Sequence, residues 1–230
     1  MYKMFVSVLV CATVLLSNAC YAMRGRPAKP EELISKTGYI RFAPKLEIQG
    51  ISIDLDLPPQ VIGSAWAVKD GNDYKIITAQ HVGLAALQMP GVLEICSHEM
   101  ECQELDIFAG AGPVAGATLY QDWIYWEVDE LPQGLRPSRI GGRPKVGEPV
   151  CAVGSPLGRV NELTCGAITN HFEPMFYMDA RVLPGNSGGP VFDKYGRVVG
   201  MVIAMDFPIE SGMGPVSTSA LVLEVDGIWL

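Results

Sequence analysis

The chain has 230 residues, room for one or two compact domains, and 49% of them are apolar against 18% charged, which excludes wholesale disorder and leaves material for a sizeable core. A formal charge of −8 with no cluster of lysines and arginines argues against a nucleic-acid binder. The 25 glycines and 17 prolines suit many short strands joined by turns.

Lys3, the apolar run Met4–Leu16 and the small-residue end Ser17-Asn18-Ala19-Cys20-Tyr21-Ala22 read as a secretory signal over residues 1–22, cleaved after Ala22. A run of 13 residues is too short to cross about 30 Å of hydrocarbon as a helix, so no stable membrane insertion is expected after cleavage. Lipidation at Cys20 is a second reading. Residues 23–35, with Arg24, Arg26 and Lys29, read as a flexible N-terminal segment.

Strand signals begin near Tyr39–Phe42, and an alternating run covers Ile48–Leu57 until Pro58-Pro59 stops it. Ser64–Val68 and Tyr74–Thr78 flank an Asp70-Gly71 turn. Val82–Gln88 reads as a helical turn, Val92–Ser97 and Glu101–Phe108 as a hairpin, and Asp122–Val128 as an aromatic-rich core strand. Residues 131–146, rich in Pro and Gly, read as a linker between residues 36–130 and 147–230. Short strands with frequent turns indicate an all-β sandwich or barrel.

Four cysteines follow the signal: Cys96, Cys102, Cys151 and Cys165. Their spacing matches no zinc pattern, and an even number in an exported chain points to disulfides. Cys96 and Cys102 flank a turn centred on Glu99, and Cys151 and Cys165 flank one centred on Gly158, so each pair would face itself across a hairpin. Free buried cysteines packed as small hydrophobes are the alternative, with more weight for the second pair.

The chemistry concentrates in Pro184-Gly185-Asn186-Ser187-Gly188-Gly189-Pro190. Glycines permit an unusual backbone there, and the Gly185 and Ser187 N–H groups could converge on a developing oxyanion beside the Ser187 hydroxyl. A plain tight turn would use the same residue types. A serine nucleophile needs a base, and histidine is the usual one near neutral pH. Of the three histidines, His98 and His171 read as exposed polar residues, whereas His81 stands where the apolar run Tyr74–Ile77 ends in Thr78-Ala79-Gln80.

Thr78–His81 and Gly185–Asp193 resemble the His and Ser motifs of the chymotrypsin-like (trypsin-like) serine proteases, and four further stretches are similar to their HtrA/Deg branch. These are Gly63–Trp66, Gly147–Gly158, Leu163–Ile168 and Asp179-Ala180. The resemblance covers roughly residues 60 to 225 and implies two six-stranded β-barrels with the site between them. It further implies a secreted or periplasmic serine endopeptidase acting on a protein or peptide substrate, with neither metal nor organic cofactor. The chain stops at Leu230, so the PDZ domain that many of the branch carry is expected to be absent.

By that resemblance His81 and Ser187 are catalytic, and the acid lies between them in sequence. Asp122, at the start of the aromatic strand, fits best; Asp106 also stays a candidate, while Asp129 suits a solvated turn and Asp179 a structural place in the Ser motif. Arg181, six residues before Ser187, and the strand residues Ile203, Ala204 and Met205 would contact substrate, unless Arg181 points outward. The alternative function is a catalytically silent homologue that binds a peptide or partner; an esterase or a self-processing protease also fits the residues.

Overall fold

The computed structural model describes residues 26–48, 51–87, 91–113, 119–206, 219–225 and 228. The signal segment expected at 1–22 lies outside them. No helix among the described residues is long and apolar enough to cross a membrane.

The first half holds a short helix α1 (Pro30–Ile34), then β1 (Thr37–Ala43), β2 (Lys45–Ile48), β3 (Ile51–Asp54), β4 (Gln60–Asp70), β5 (Asp73–Thr78), helix α2 (Gln80–Ala86), β6 (Val92–Cys96), β7 (Cys102–Leu105) and β8 (Ile124–Val128). Six of these strands form one curled sheet in the order β7-β6-β1-β4-β5-β8. The second half adds β9 (Arg139–Ile140), β10 (Pro149–Gly154), β11 (Glu162–Phe172), β12 (Met175–Met178), β13 (Pro190–Asp193), β14 (Arg197–Asp206) and β15 (Ser219–Glu224). There β13-β10-β11-β12-β15-β14 run in order and β14 returns to β13, closing a six-stranded barrel to which β9 is appended. The pair has the expected trypsin-like two-barrel architecture, the first unit as a half-barrel.

Burial explains the arrangement. Gly63–Val68 of β4 is buried on both faces, which no strand facing water on one side would be. One core cluster runs from Ile40, Trp66 and Ile76 of the first unit to Val153, Phe192 and Met201 of the second, so the two halves share an apolar core. A second cluster, with Val150, Phe176, Met178 and Val222, fills the closed barrel.

Several expectations need correction. The alternating run read over Ile48–Leu57 is instead a hairpin, β2 against β3, paired from Lys45↔Asp54 to Ile48↔Ile51. Two strands of a hairpin share the period of one long strand, and only Gly50 in the sequence hints at the turn. The segment expected to be flexible to residue 35 carries α1, with Pro30 in its first turn and Leu33 buried, both favourable to a docked helix. Ala28 N–H donates to Lys194 O at 2.9 Å, and Lys36 Nζ donates to Gly196 O at 2.8 Å, tying the segment to the turn between β13 and β14.

The linker is laid down rather than loose: Leu135 is buried, Ser138 N–H donates to Ala67 O at 2.7 Å, and β9 pairs in parallel with β14. His171 is not a free surface residue. Its Nδ1 lies 3.1 Å from the buried Glu224 carboxylate, which also pairs with Arg143 Nε of the linker at 3.2 Å. A buried carboxylate is costly unless paired, and it recruits both groups. The cysteines pair locally, Cys96 with Cys102 and Cys151 with Cys165, each pair directly opposite across its hairpin.

Candidate active site

Strand register brings the histidine and its carboxylate together. β5 pairs with β8 so that Thr78 faces Ile124, and the chain leaves β5 through Ala79 straight into α2. Asp122 precedes β8 by two residues and therefore lies against the start of α2. The first amides of a helix have no partner inside it, and the Asp122 carboxylate supplies one: His81 N–H donates to Asp122 Oδ1 at 2.9 Å. The other oxygen, Oδ2, lies 2.6 Å from His81 Nδ1. With a carboxylate as acceptor, Nδ1 carries the hydrogen and Nε2 is left to exchange a proton. Asp122 is only 12% exposed and His81 49%, so the imidazole is held from its buried side and open on the other. Asp106 is elsewhere: its Oδ1 accepts from Phe108 N–H at 2.9 Å, and its carbonyl accepts from Trp126 Nε1–H at 2.8 Å. Asp179 accepts from Ala167 N–H, in keeping with a structural place.

The serine loop is seated on the same strand end. Ser187 O accepts from Ser64 N–H of β4 at 2.8 Å, and Ser64 O accepts from Thr78 Oγ1–H at 2.6 Å. Gly188 N–H donates to Val202 O at 2.8 Å and Val202 N–H to Gly189 O at 2.9 Å, fixing the loop's far side to β14. Gly185 takes φ +99°, and a Cβ added there would lie 2.2 Å from Ser155 O. Among the described residues neither the Gly185 N–H nor the Ser187 N–H donates a hydrogen bond within the protein, so both are available to a ligand.

Gly188 has the tightest fit. Its φ is +82°, and a Cβ there would lie 2.1 Å from Thr78 Oγ1 and 2.2 Å from Ser64 O. Gly188→Ala is expected to unseat the loop from β5, combining left-handed strain with a backbone clash at a cost of several kcal/mol. The melting temperature should fall, and an unchanged value would refute this account of the seating.

The expected substrate residues separate. Arg181 is exposed and lines an open cavity of about 450 Å³ with Pro156, Leu157, Arg159, Leu183 and Asn186, a set without Ile203 or Ala204. Ile203 is buried in the core, Ala204 is half-buried, and the Met205 side chain lies outside the described set. β14 runs past the Ser loop and holds it through Val202, so 203–205 continue along the same strand edge. Sequence reading placed Ser64 and Ser155 in family-like stretches but gave them no role; both are fully buried and join the loop from other elements.

A β-barrel fold with an Asp–His pair beside a glycine-rich serine loop has the layout of the trypsin-like scaffold that the sequence motifs imply. Residues 63–201 match the family model of the trypsin-like peptidase domain, and the chain belongs to that family. It is 28% identical over 218 residues to protease Do-like 8, chloroplastic, of Arabidopsis thaliana, covering 83% of this chain and 45% of that protein. Over 79 residues it is 38% identical to a probable periplasmic serine endoprotease DegP-like of Ectopseudomonas mendocina (strain ymp), covering 30% of this chain and 17% of the relative. The chain thus spans less than half the length of these curated relatives. Among solved structures, the HtrA-type protease AlgW with decapeptide superposes with a TM-score of 0.60 at 17% identity, over 86% of this chain and 65% of the other. These relatives include Do-like, DegP-like and HtrA-type proteases, the branch whose motifs the sequence resembles.

Proposed function

We propose that the chain is an exported serine endopeptidase that cleaves peptide bonds through an acyl-enzyme. The observation that carries this is the His81–Asp122 pair, at 2.6 Å, standing at the strand end on which the Ser187 loop is seated. Ser187 Oγ attacks the carbonyl carbon while its proton passes to His81 Nε2. The Gly185 and Ser187 N–H groups receive the oxyanion, and each such donor is worth roughly 3 kcal/mol in related sites. The C–N bond then breaks, and the amine leaves with the proton from Nε2. Water, activated by the same nitrogen, releases the acid and restores Ser187. The substrate is an extended peptide laid along Ile203–Met205; the peptide bound in the AlgW structure supports this class of ligand. Periplasmic relatives and the apolar segment Met4–Leu16 support export.

The test is a fluorophosphonate probe with unfolded casein as substrate. Stoichiometric labelling of Ser187 together with casein cleavage is the expected result. A folded protein that takes no label yet binds peptide would replace this reading by the silent binding module.

A further inference from the structure

We propose that Ser64 is a positioning residue for the oxyanion-binding loop, an inference that rests on the reading of Ser187 as nucleophile. Ser64 is completely buried in β4 of the first unit, yet both hydrogen bonds of its hydroxyl leave its own sheet. It donates to Gly185 O at 2.7 Å and accepts from Ser155 N–H at 2.9 Å, both in the second unit. Its main chain holds Ser187 O through the 2.8 Å bond from Ser64 N–H, and its carbonyl is anchored by Thr78 Oγ1–H at 2.6 Å. One residue therefore grips the carbonyls of both Gly185 and Ser187, whose N–H groups must face the developing charge. It is itself fixed to the strand end that leads into His81.

The hydroxyl acts as a spacer. Ser155 N–H lies 3.4 Å from Gly185 O, too far for a good bond, and the Ser64 oxygen bridges donor and acceptor. A hydroxyl can donate once and accept at the same time, and alanine can do neither. Without it the buried Ser155 N–H loses its better acceptor, and Gly185 O loses its closer donor. The two groups then relax toward one another, which turns the Gly185–Asn186 peptide. Gly185 has little room to absorb this elsewhere, because an added Cβ would already lie 2.2 Å from Ser155 O. Misalignment of the oxyanion donors weakens the transition state more than the bound substrate, so the loss belongs in kcat rather than in KM.

The experiment compares wild type, Ser64→Ala and Ser64→Cys on a peptide substrate, at a temperature where circular dichroism shows each folded. Ser64→Cys nearly keeps the volume and provides only a weak donor, and it serves alone if the alanine variant does not fold. The expected result is a fall in kcat of about 10- to 100-fold, a KM within about twofold of wild type, and a parallel fall in the fluorophosphonate labelling rate, below the 10²–10³ cost of deleting a donor outright. A second measurement isolates ground-state binding: peptide affinity in the Ser187→Ala background should be unchanged by Ser64→Ala. An active wild type whose variants keep kcat and labelling rate within twofold overturns the positioning role, as does a loss that falls wholly on KM. A wild type that takes no label at Ser187 overturns the underlying protease reading instead.

Discussion

Replacing Ser187 by alanine is expected to reduce kcat for peptide cleavage by about 10⁶-fold, the cost of losing the nucleophile in a related triad where serine and histidine act as one unit. Folding should survive almost untouched. The loop is held by main-chain groups, Ser187 O on Ser64 N–H and Gly188 N–H on Val202 O, and alanine keeps both. The Ser187 hydroxyl makes no hydrogen bond among the described residues and the side chain is only half-buried, so its removal strands no buried partner. A stability change within about 0.5 kcal/mol is therefore expected from denaturant unfolding. Active-site titration with a burst substrate supplies the check on turnover. Residual turnover above one hundredth of wild type, as an order of magnitude, would mean that another group attacks the carbonyl.

The parts of this fold legible in sequence are those fixed by local chemistry. The β4–β5 hairpin is marked by Gly71, which takes φ +61° at the turn, and the local pairing of both cysteine pairs follows from hairpin symmetry. The serine loop is legible for the same reason: Gly185 and Gly188 both take positive φ, and their spacing in sequence is the loop's shape. The docked segment before β1 is not legible, because Ala28 and Lys36 find their partners more than 100 residues later, and a basic, Pro-containing stretch shows no trace of that docking. The same holds for Ser64. In sequence it is one small residue in a β4 strand, and its two side-chain bonds reach across 121 and 91 residues. The alternation over Ile48–Leu57 misleads because strand period carries no information about where a strand folds back on itself.

The choice of acid lies between these cases. Asp106 and Asp122 both fall between His81 and Ser187 in sequence, and each adjoins apolar residues. What separates them is the β5–β8 register, Thr78 opposite Ile124, which sets Asp122 against α2 and leaves Asp106 to close an Asx turn on Phe108.

That difference sets the second large effect. Asp122→Asn is expected to lower kcat by about 10⁴-fold with little change in KM or stability. The direction follows from two distances. His81 N–H must still be accepted, and at 2.9 Å the atom in the Oδ1 position has to remain an oxygen. The amide nitrogen is then forced into the Oδ2 position, 2.6 Å from His81 Nδ1, where it donates. Nδ1 becomes the acceptor, the ring hydrogen moves to Nε2, and the imidazole can no longer take the proton from Ser187. The fold is kept because asparagine has the shape of aspartate and still satisfies the amide at the start of α2. Asp106→Asn should stay within about twofold of wild type in kcat, since its side-chain oxygen can still accept from Phe108 N–H at a turn away from His81. The two variants are to be measured side by side on one peptide substrate, with circular dichroism as the fold control. A dead Asp106→Asn beside a near-normal Asp122→Asn would reverse the assignment, and a fluorophosphonate rate that failed to fall in Asp122→Asn would show that Ser187 does not depend on the tautomer of His81.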